Sequence, residues 1–332
     1  MFTNASRLPV VLAVLAMMTG CLPASTPVIA RKPAPGTLRL WQDAAIFNTA
    51  ARILASSNGR LLVEMYEFGR RDLAALLVAG ARRGRDVRVI LDPTVEESVH
   101  TGGQLRAAGV QVRYYPIDDH RHQIDHVKLL LASQAALVGG MNWGSHSDRN
   151  HDYCVELTAP DVLSALSEVF EQDWRLAGGA PAPHRPAVSA VAQTAPGEDI
   201  RALLEDSLVH VRNEVRAEVF VLTDAETIAR LVGARRRGVL VRVLLDPNQD
   251  VNRPAMSMLR QGGVEARWFP VPRTAKLHAK VGLFDGRLLL GSANWSLGGL
   301  SVNHELDVAI DGGAPAAEFA RRFDADWALA PG

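Results

Sequence analysis

The sequence predicts an α/β fold of two homologous α/β sandwich domains, related by a pseudo-twofold axis and sharing one active site between them. Two short motifs recur at a fixed offset, and strand-like apolar segments alternate with helix-like ones in both halves. The chain has 332 residues, of which 48% are hydrophobic, so it is long enough for two domains with full cores.

The first 36 residues are expected to be a targeting segment outside the fold. Arg7 precedes an apolar run, residues 8–18, which is too short to cross a bilayer and is typical of a secretory signal. The run ends in Met-Thr-Gly-Cys, which is similar to the cleavage site of bacterial lipoproteins. We therefore expect a lipoprotein-type signal peptide over 1–20, lipidation of Cys21 and a tether over 21–36.

On this interpretation the protein is exported and anchored through lipid to a membrane of the cell envelope, facing outward or into the periplasm. Ordinary secretion and a retained apolar anchor are the alternatives. The second cysteine, Cys154, then has no partner for an internal disulfide, and its apolar neighbours indicate a small buried side chain in a strand.

The remaining chain is expected to form an N-terminal domain over 37–178 and a C-terminal domain over 198–332. Residues 179–197 are rich in Pro and Ala and show no apolar period, so they are expected to be a linker.

Within the first domain a strand is expected at 61–66, a helix at 72–83 and a second strand at 87–91. The stretch VRVILDP at 87–93 recurs as VRVLLDP at 241–247. Each copy leads into a helix-like segment and a short strand that ends at a proline. This alternation is typical of a sheet covered on both faces by helices.

The repeat is sharpest in two sets of chemistry-bearing residues, which lie 152 positions apart: His126, Lys128 and Asn142, and His278, Lys280 and Asn294. In each set His and Lys are two residues apart, so on a strand they share a face. The apolar strand that follows is expected to form a hairpin, which returns the Asn towards its own His and Lys. Only four lysines accompany 32 arginines in the chain, and two of the four occupy these motifs.

Two sets facing each other supply histidines, ammonium groups and amides around one pocket, and these groups suit a phosphodiester. Cations and amides hold phosphoryl oxygens and stabilise developing charge. One histidine can attack phosphorus while the other protonates the leaving group, since the ordinary imidazole pKa lies near neutrality.

An acidic partner is expected to orient each histidine. Asp152 lies 26 residues after His126, and Glu305 lies 27 residues after His278. His151 and His304 precede these acids and are expected to be their neighbours, not catalysts.

The doubled motif resembles the phospholipase D superfamily, whose pattern is His-x-Lys-x4-Asp followed by Gly-Ser-x-Asn. The second half matches it through Asp285 and Ser292 as well as through His, Lys and Asn. The first half departs from it, with Ser133 at the Asp position and Gly140 at the Ser position. The resemblance covers nearly everything after the tether.

The resemblance implies a reaction without metal or other cofactor, in which one of His126 and His278 becomes a covalent phosphohistidine and the other acts as the acid. Their order cannot be read from the sequence. The Lys and Asn residues become phosphate binders, and Asp285 and Ser292 support the site. The implied function is hydrolysis or transfer of the phosphatidyl group of phospholipids, and one chain suffices to build the site.

Two other functions remain open: a nuclease of the same superfamily, and a non-catalytic envelope protein that binds phosphate or head groups. The formal net charge is zero, which weighs mildly against a nucleic-acid substrate.

The histidine- and aspartate-rich stretch 118–126 also resembles a set of zinc ligands, but the second half lacks it, so a loop at the pocket rim is favoured. Trp143 and Trp295 are expected to pack in the core behind the Asn turns.

Overall fold

The structure, a computed structural model, describes residues 38–182 and 190–331 and contains two mixed sheets of seven strands. The predicted signal peptide, the tether and Cys21 lie outside the described residues. Among the described ones no helix is both long and apolar enough to span a membrane.

The first half contains seven strands and four α-helices. The strands are β1 (Leu38–Gln42), β2 (Leu61–Met65), β3 (Val87–Leu91), β4 (Gln111–Tyr114), β5 (Lys128–Ala132), β6 (Ala136–Gly139) and β7 (Tyr153–Leu157). The helices are α1 (Ala44–Ser56), α2 (Arg71–Arg82), α3 (Glu96–Ala107) and α4 (Pro160–Leu176), with short 3₁₀ turns at Asp119–Arg121 and Ser147–Arg149.

The second half repeats this set. Its strands are β8 (Val191–Thr194), β9 (Glu214–Val219), β10 (Leu240–Leu245), β11 (Glu265–Trp268), β12 (Lys280–Phe284), β13 (Arg287–Gly291) and β14 (Glu305–Asp311). Its helices are α5 (Asp199–His210), α6 (Ala225–Arg236), α7 (Arg253–Gln261) and α8 (Gly313–Leu329), with a 3₁₀ turn at Asp250–Asn252 and a π-helical turn at Gly298–Val302.

The two sheets have the same topology, which confirms the predicted pair of homologous α/β domains. The strand order is β1-β7-β6-β5-β2-β3-β4 in one and β8-β14-β13-β12-β9-β10-β11 in the other. In each, the two crossover connections give parallel pairs (β2 with β3, β3 with β4), while the remaining pairs are antiparallel. The segment expected to be a linker contributes β8, which pairs with β14 at the sheet edge.

The core between the two halves positions the site. The inner faces of both sheets, together with α4 and α8, bury one continuous apolar cluster, while each outer face has a separate cluster under its own helices. Because the largest cluster contains side chains from both halves, the relative position of the two sheets is held by packing. The segments at this junction carry the predicted functional residues.

Candidate active site

Each His-x-Lys unit lies where a central strand begins. Lys128 is the first residue of β5 and Lys280 the first of β12, and the histidines stand two positions ahead. All four residues are at most 5% exposed. Both strands pair with the next one, β5 with β6 and β12 with β13, so the predicted hairpins are confirmed.

The asparagines follow these hairpins and are held by the segment after β2 or β9. Asn142 is buried and donates from Nδ2 to Glu67 Oε2 at 2.9 Å, while its Oδ1 has no partner among the described residues. Trp143 donates its backbone N–H to the Glu67 carbonyl, and Trp295 bridges the corresponding segment of the second half. Both indole rings are at most 2% exposed, which confirms their core role.

Two aromatic residues line the histidines and were missed from the sequence. The Tyr66 ring lies 4.9 Å from that of His126, and the Phe220 ring lies 4.7 Å from that of His278. The motif ammonium groups lie about 5 Å above the same two rings. Tyr66 and Phe220 are 154 positions apart, like the VRV repeats, and this register was the signal that could have identified them.

The backbones of the two halves meet at the motif histidines. The His126 N–H donates to the His304 carbonyl at 2.8 Å, and the His278 N–H donates to the His151 carbonyl at 2.7 Å. Isolated β-bridges at Asp125 and His151 accompany these bonds. Each histidine is therefore joined to the segment of the other half that carries an acidic residue.

The acidic partners cross between the halves. His126 Nδ1 lies 2.9 Å from Glu305 Oε2, and His278 Nδ1 lies 2.7 Å from Asp152 Oδ2. All four groups are buried. The sequence spacing pairs each acid with the motif histidine of its own half, and this pairing is wrong. A carboxylate from one half orients the imidazole of the other, so neither half completes its own pair.

The surroundings of Glu305 and Asp152 differ, and the difference explains why position 140 is a glycine. Ser292 Oγ donates to Glu305 Oε2 at 2.5 Å and accepts from the Leu306 N–H. In the first half, a Cβ at position 140 would lie only 2.4 Å from Asp152 Oδ1. The shorter Asp152 thus occupies the space of a serine side chain, and its Oδ1 accepts from its own neighbour, Tyr153 N, at 2.7 Å.

Asp285 and Ser133 lie at the far ends of the hairpins, away from the histidines. The Asp285 carboxylate accepts the backbone N–H groups of residues 212–214, and its own φ is 49°. It therefore fixes the β12–β13 turn to the start of β9. The expectation that Asp285 supports the site is corrected: its carboxylate binds the backbone at the start of β9 and does not contact the motif histidines.

Burial dominates the electrostatics of the site. It lowers the pKa of His126 to about 4 against the raising effect of Glu305, and burial with the charge of Lys280 lowers the pKa of His278 well below its ordinary value. Both imidazoles are therefore neutral near pH 7, which leaves a nitrogen lone pair for attack. Burial also lowers the pKa of Lys128 to about 7 and that of Lys280 to about 8.

The carboxylates respond unequally to the same burial. Burial raises the pKa of Asp152 to about 7. For Glu305 burial acts in the same direction, but His126 and Lys128 outweigh it and lower the pKa overall. Each lysine also perturbs groups of the other half: Lys280 lowers the pKa of His126, and Lys128 lowers that of His278. The two sets thus share one electrostatic environment.

Two clusters in the described residues have ligand atoms close enough together to hold a metal ion: Glu64, Asp173 and His304, and His151, Glu218 and Asp326. Neither includes the motif histidines or the stretch 118–126. In that stretch His120 and His122 are exposed, and Arg121 donates to the Ser301 carbonyl of the other half. This contact fits the rim loop expected from the sequence.

Comparison with known proteins agrees with this geometry. The family model described as "Cardiolipin synthase, PLD-like domain" matches twice, over 51–174 and 204–327, which together cover more than half of the chain. Among solved structures, phosphatidylserine synthase of Haemophilus influenzae has a TM-score of 0.69 at 11% identity, covering 87% of this chain and 85% of that one. Polyphosphate kinase of Porphyromonas gingivalis has a TM-score of 0.64 at 18% identity, covering 88% and 50%. These likenesses concern the fold.

Two curated relatives share part of the sequence. Proteins named mitochondrial cardiolipin hydrolase from Chlamydomonas reinhardtii and Danio rerio are 30% and 29% identical over 111 and 104 residues, which is 33% and 31% of this chain. The matches span about half of each relative's length, 49% and 45%. The doubled family match, with one copy of the motif in each of two like sheets, shows that the chain belongs to the phospholipase D-like family.

Proposed function

We propose that this chain is a metal-independent phosphodiesterase, which hydrolyses phospholipids or transfers their phosphatidyl group through a phosphohistidine. The observation that carries the proposal is the pair of buried histidines, each oriented by a carboxylate of the other half, with both motif lysines in the same environment. The names of the family model and of the curated relatives support a phospholipid substrate.

In the proposed reaction one histidine attacks phosphorus from Nε2, because its Nδ1 faces the crossed carboxylate. The bond between phosphorus and the leaving oxygen breaks, and the second histidine, which takes up a proton at Nε2 when the phosphate anion binds, donates that proton to this oxygen. Water or an alcohol then attacks the phosphohistidine, giving its proton to the second histidine and releasing the first. Lys128, Lys280, Asn142 and Asn294 hold the phosphoryl oxygens throughout.

The charge near the first asparagine favours a lipid over a nucleic acid. Glu67 lies 2.9 Å from the Asn142 amide, and Glu97 lies 3.4 Å from the backbone N–H of Ser145 in the same loop. Two carboxylates beside the predicted phosphate binder disfavour a long polyanion more than a single head group, because a polyanion brings further phosphates close to them. Val221 occupies the position equivalent to Glu67 in the second half.

We further propose that the protein is exported and attached to a membrane by lipid on Cys21, and that one chain builds the complete site. A tether there keeps the site close to a lipid surface. The test is fractionation of cells that produce wild type or Cys21→Ala. The variant should leave the membrane fraction, and intact mass should show lipid on wild type alone. Unmodified Cys21 in membrane-bound wild type contradicts the anchor.

The activity is tested with choline-containing vesicles, cardiolipin vesicles and plasmid DNA in parallel. Wild type should release the head group and leave DNA intact, while His126→Ala and His278→Ala should each lose at least about 10³-fold in kcat. His210→Ala is the matched control, since this histidine is exposed on α5 and should turn over like wild type. DNA nicking without lipid cleavage supports a nuclease instead, and equal turnover in all variants sinks the catalytic assignment.

A further inference from the structure

Behind the site, two histidines that the proposed reaction does not use each contact the opposite half, with His304 fully buried and the His151 side chain 10% exposed. His304 belongs to the second half, yet its ring stacks on Tyr115 of the first half at 4.3 Å with an interplanar angle of 5°. His151 belongs to the first half, and its ring stacks on Phe269 of the second half at 4.6 Å. Each imidazole therefore packs on an aromatic ring from across the junction.

Two carboxylates of the receiving half lie beside Nε2 of each ring. His304 Nε2 lies 3.2 Å from Asp173 Oδ2 on α4 and 3.6 Å from Glu64 Oε1 on β2, and all three residues are fully buried. The other nitrogen, Nδ1, lies 3.1 Å from the Ala195 carbonyl, so Nε2 is the nitrogen that faces the acids. Burial alone lowers the pKa of His304, but the surrounding acidic groups raise it well above its ordinary value. The ring thus lies between two buried acidic side chains, and burial, with the charges of Asp173 and Asp125, also raises the pKa of Glu64 well above its ordinary value.

The second cluster repeats this arrangement. His151 Nε2 lies 3.1 Å from Glu218 Oε2 on β9 and 3.6 Å from Asp326 Oδ2 on α8. Its other nitrogen, Nδ1, differs from that of His304 in facing a carboxylate of its own half, Asp43 Oδ1 at 3.3 Å. Burial acts against the charge of His151, but hydrogen bonds with Asp43 and Glu218 raise its pKa to about 10. Glu64 and Glu218 are 154 positions apart, and Asp173 and Asp326 are 153 apart, so both clusters belong to the repeat.

The position of each buried histidine in the chain connects it to the reaction. His304 directly precedes Glu305, the partner of His126, and His151 directly precedes Asp152, the partner of His278. Successive side chains of extended chain point to opposite sides. The histidine therefore enters the opposite core while the next carboxylate faces the site. The backbone bonds at His126 and His278 end on these same two residues.

Building on the reaction proposed above, we propose that His304 and His151 are positioning residues. Each is clamped in the opposite half and so fixes the carboxylate that follows it against the motif histidine of that half. The two clamps act on different histidines: His304 serves His126, and His151 serves His278. A movement of about 1 Å at either carboxylate misaligns the imidazole, a displacement that can cost about 100-fold in rate.

The kinetic test is a double-mutant cycle with His304→Gln and Glu305→Gln. Alone, His304→Gln should lower kcat by about 10- to 100-fold with little change in KM. In the Glu305→Gln background the same change should cost less than about threefold, because the carboxylate through which His304 acts is gone. Equal losses in both backgrounds would show a general structural role and overturn the proposal. Glu156→Gln, a buried carboxyl at the far end of β7, is the control and should stay within about twofold of wild type.

A second readout does not depend on activity. In ¹⁵N-histidine spectra at neutral pH, His304→Gln should weaken the signature of the Nδ1–H bond of His126 and leave that of His278 unchanged, and His151→Gln should do the reverse. Asp173→Asn provides a similarly shaped second test if His304→Gln does not fold. If both motif histidines change alike in either variant, the clamps are not specific and the proposal is wrong. An inactive wild type with these selective changes would overturn the proposed function and leave the positioning role standing.

Discussion

Each motif histidine is supported from two directions at the residue scale. An aromatic ring of its own half, Tyr66 or Phe220, borders the imidazole, and a carboxylate of the other half binds Nδ1. The aromatic neighbour and burial keep water away and lower the imidazole pKa, while the carboxylate selects the tautomer with Nδ1 protonated. Nε2 is then left with its lone pair, which is the state that a nucleophile requires.

Gly140→Ser should lower activity even though it restores the family pattern. A Cβ at this position lies 2.4 Å from Asp152 Oδ1, so the carboxylate must move away from His278. We expect kcat to fall by about 10-fold or more. Ser133→Asp restores the other departure at the remote turn and is the control, which should leave kcat unchanged. A gain of activity in Gly140→Ser would contradict the account of the first half.

The motif residues could be identified from the sequence because two copies of one motif are rare by chance, whereas the pairing of each histidine with its carboxylate could not. Asp152 and Glu305 follow the motif histidines of their own halves at nearly equal spacing. The repeat in the sequence is therefore compatible both with pairing within a half and with pairing between the halves. The backbone hydrogen bonds that end at the His151 and His304 carbonyls show that the pairing crosses between the halves. Tyr66 was missed because an aromatic residue at a strand end reads as core.

At the scale of elements, the hairpins β5–β6 and β12–β13 carry the motif at one end and a turn at the other. The second turn is fixed by Asp285, which accepts three backbone N–H groups at the start of β9. The first turn has Ser133 near Gly59, where any side chain on the glycine would collide with the serine hydroxyl. The two halves thus differ at this turn: Asp285 binds three backbone N–H groups, whereas Ser133 packs against Gly59.

Asp285→Ala should weaken the fold and spare the chemistry. It removes the acceptor of three N–H groups and places alanine at a positive φ, so the free energy of unfolding should fall by about 1–3 kcal/mol. Urea denaturation measures this loss, and kcat at 25 °C should remain within about twofold. A drop of 10-fold or more in kcat at unchanged stability would place Asp285 in the site after all.

The elements themselves were largely predictable, since β2, β3 and α2 follow clear apolar periods. The strand β8 was not, because its four residues, VAQT, carry no alternation and their segment is rich in Pro and Ala. It forms a strand because it pairs with β14, which lies more than 110 residues further along the chain. Such long-range pairing depends on tertiary context, which no local pattern contains.

For the whole molecule, the titrating groups of both halves combine into one pH dependence. Asp152 must be ionised to orient His278, and its pKa is raised to about 7. Lys128 and Lys280 must be protonated to bind phosphate, and their pKa values are lowered to about 7 and 8. As pH rises, the carboxylate is gained while the ammonium groups are lost.

We therefore expect a bell-shaped profile of kcat/KM with its maximum near pH 7, measured on a phosphodiester whose charge is constant over the range. The alkaline limb of kcat should lie at higher pH, because a bound phosphate anion raises the pKa of the lysines. Asp152→Asn should remove the acid limb along with much of the rate. A flat kcat/KM between about pH 6 and 9 would contradict this account of the site.

In the proposed reaction, histidines from the two halves act together and one of them carries the phosphoryl group. The most direct test is to quench the enzyme during turnover of a chromogenic phosphodiester and to locate the adduct by mass spectrometry. We expect an adduct on one histidine only, either His126 or His278. Substitution of the histidine that carries the adduct by alanine should abolish the adduct. Substitution of the other histidine by alanine should let the adduct accumulate when the substrate has a good leaving group. An active enzyme that shows no adduct on either histidine, or one that survives both substitutions, would contradict the account.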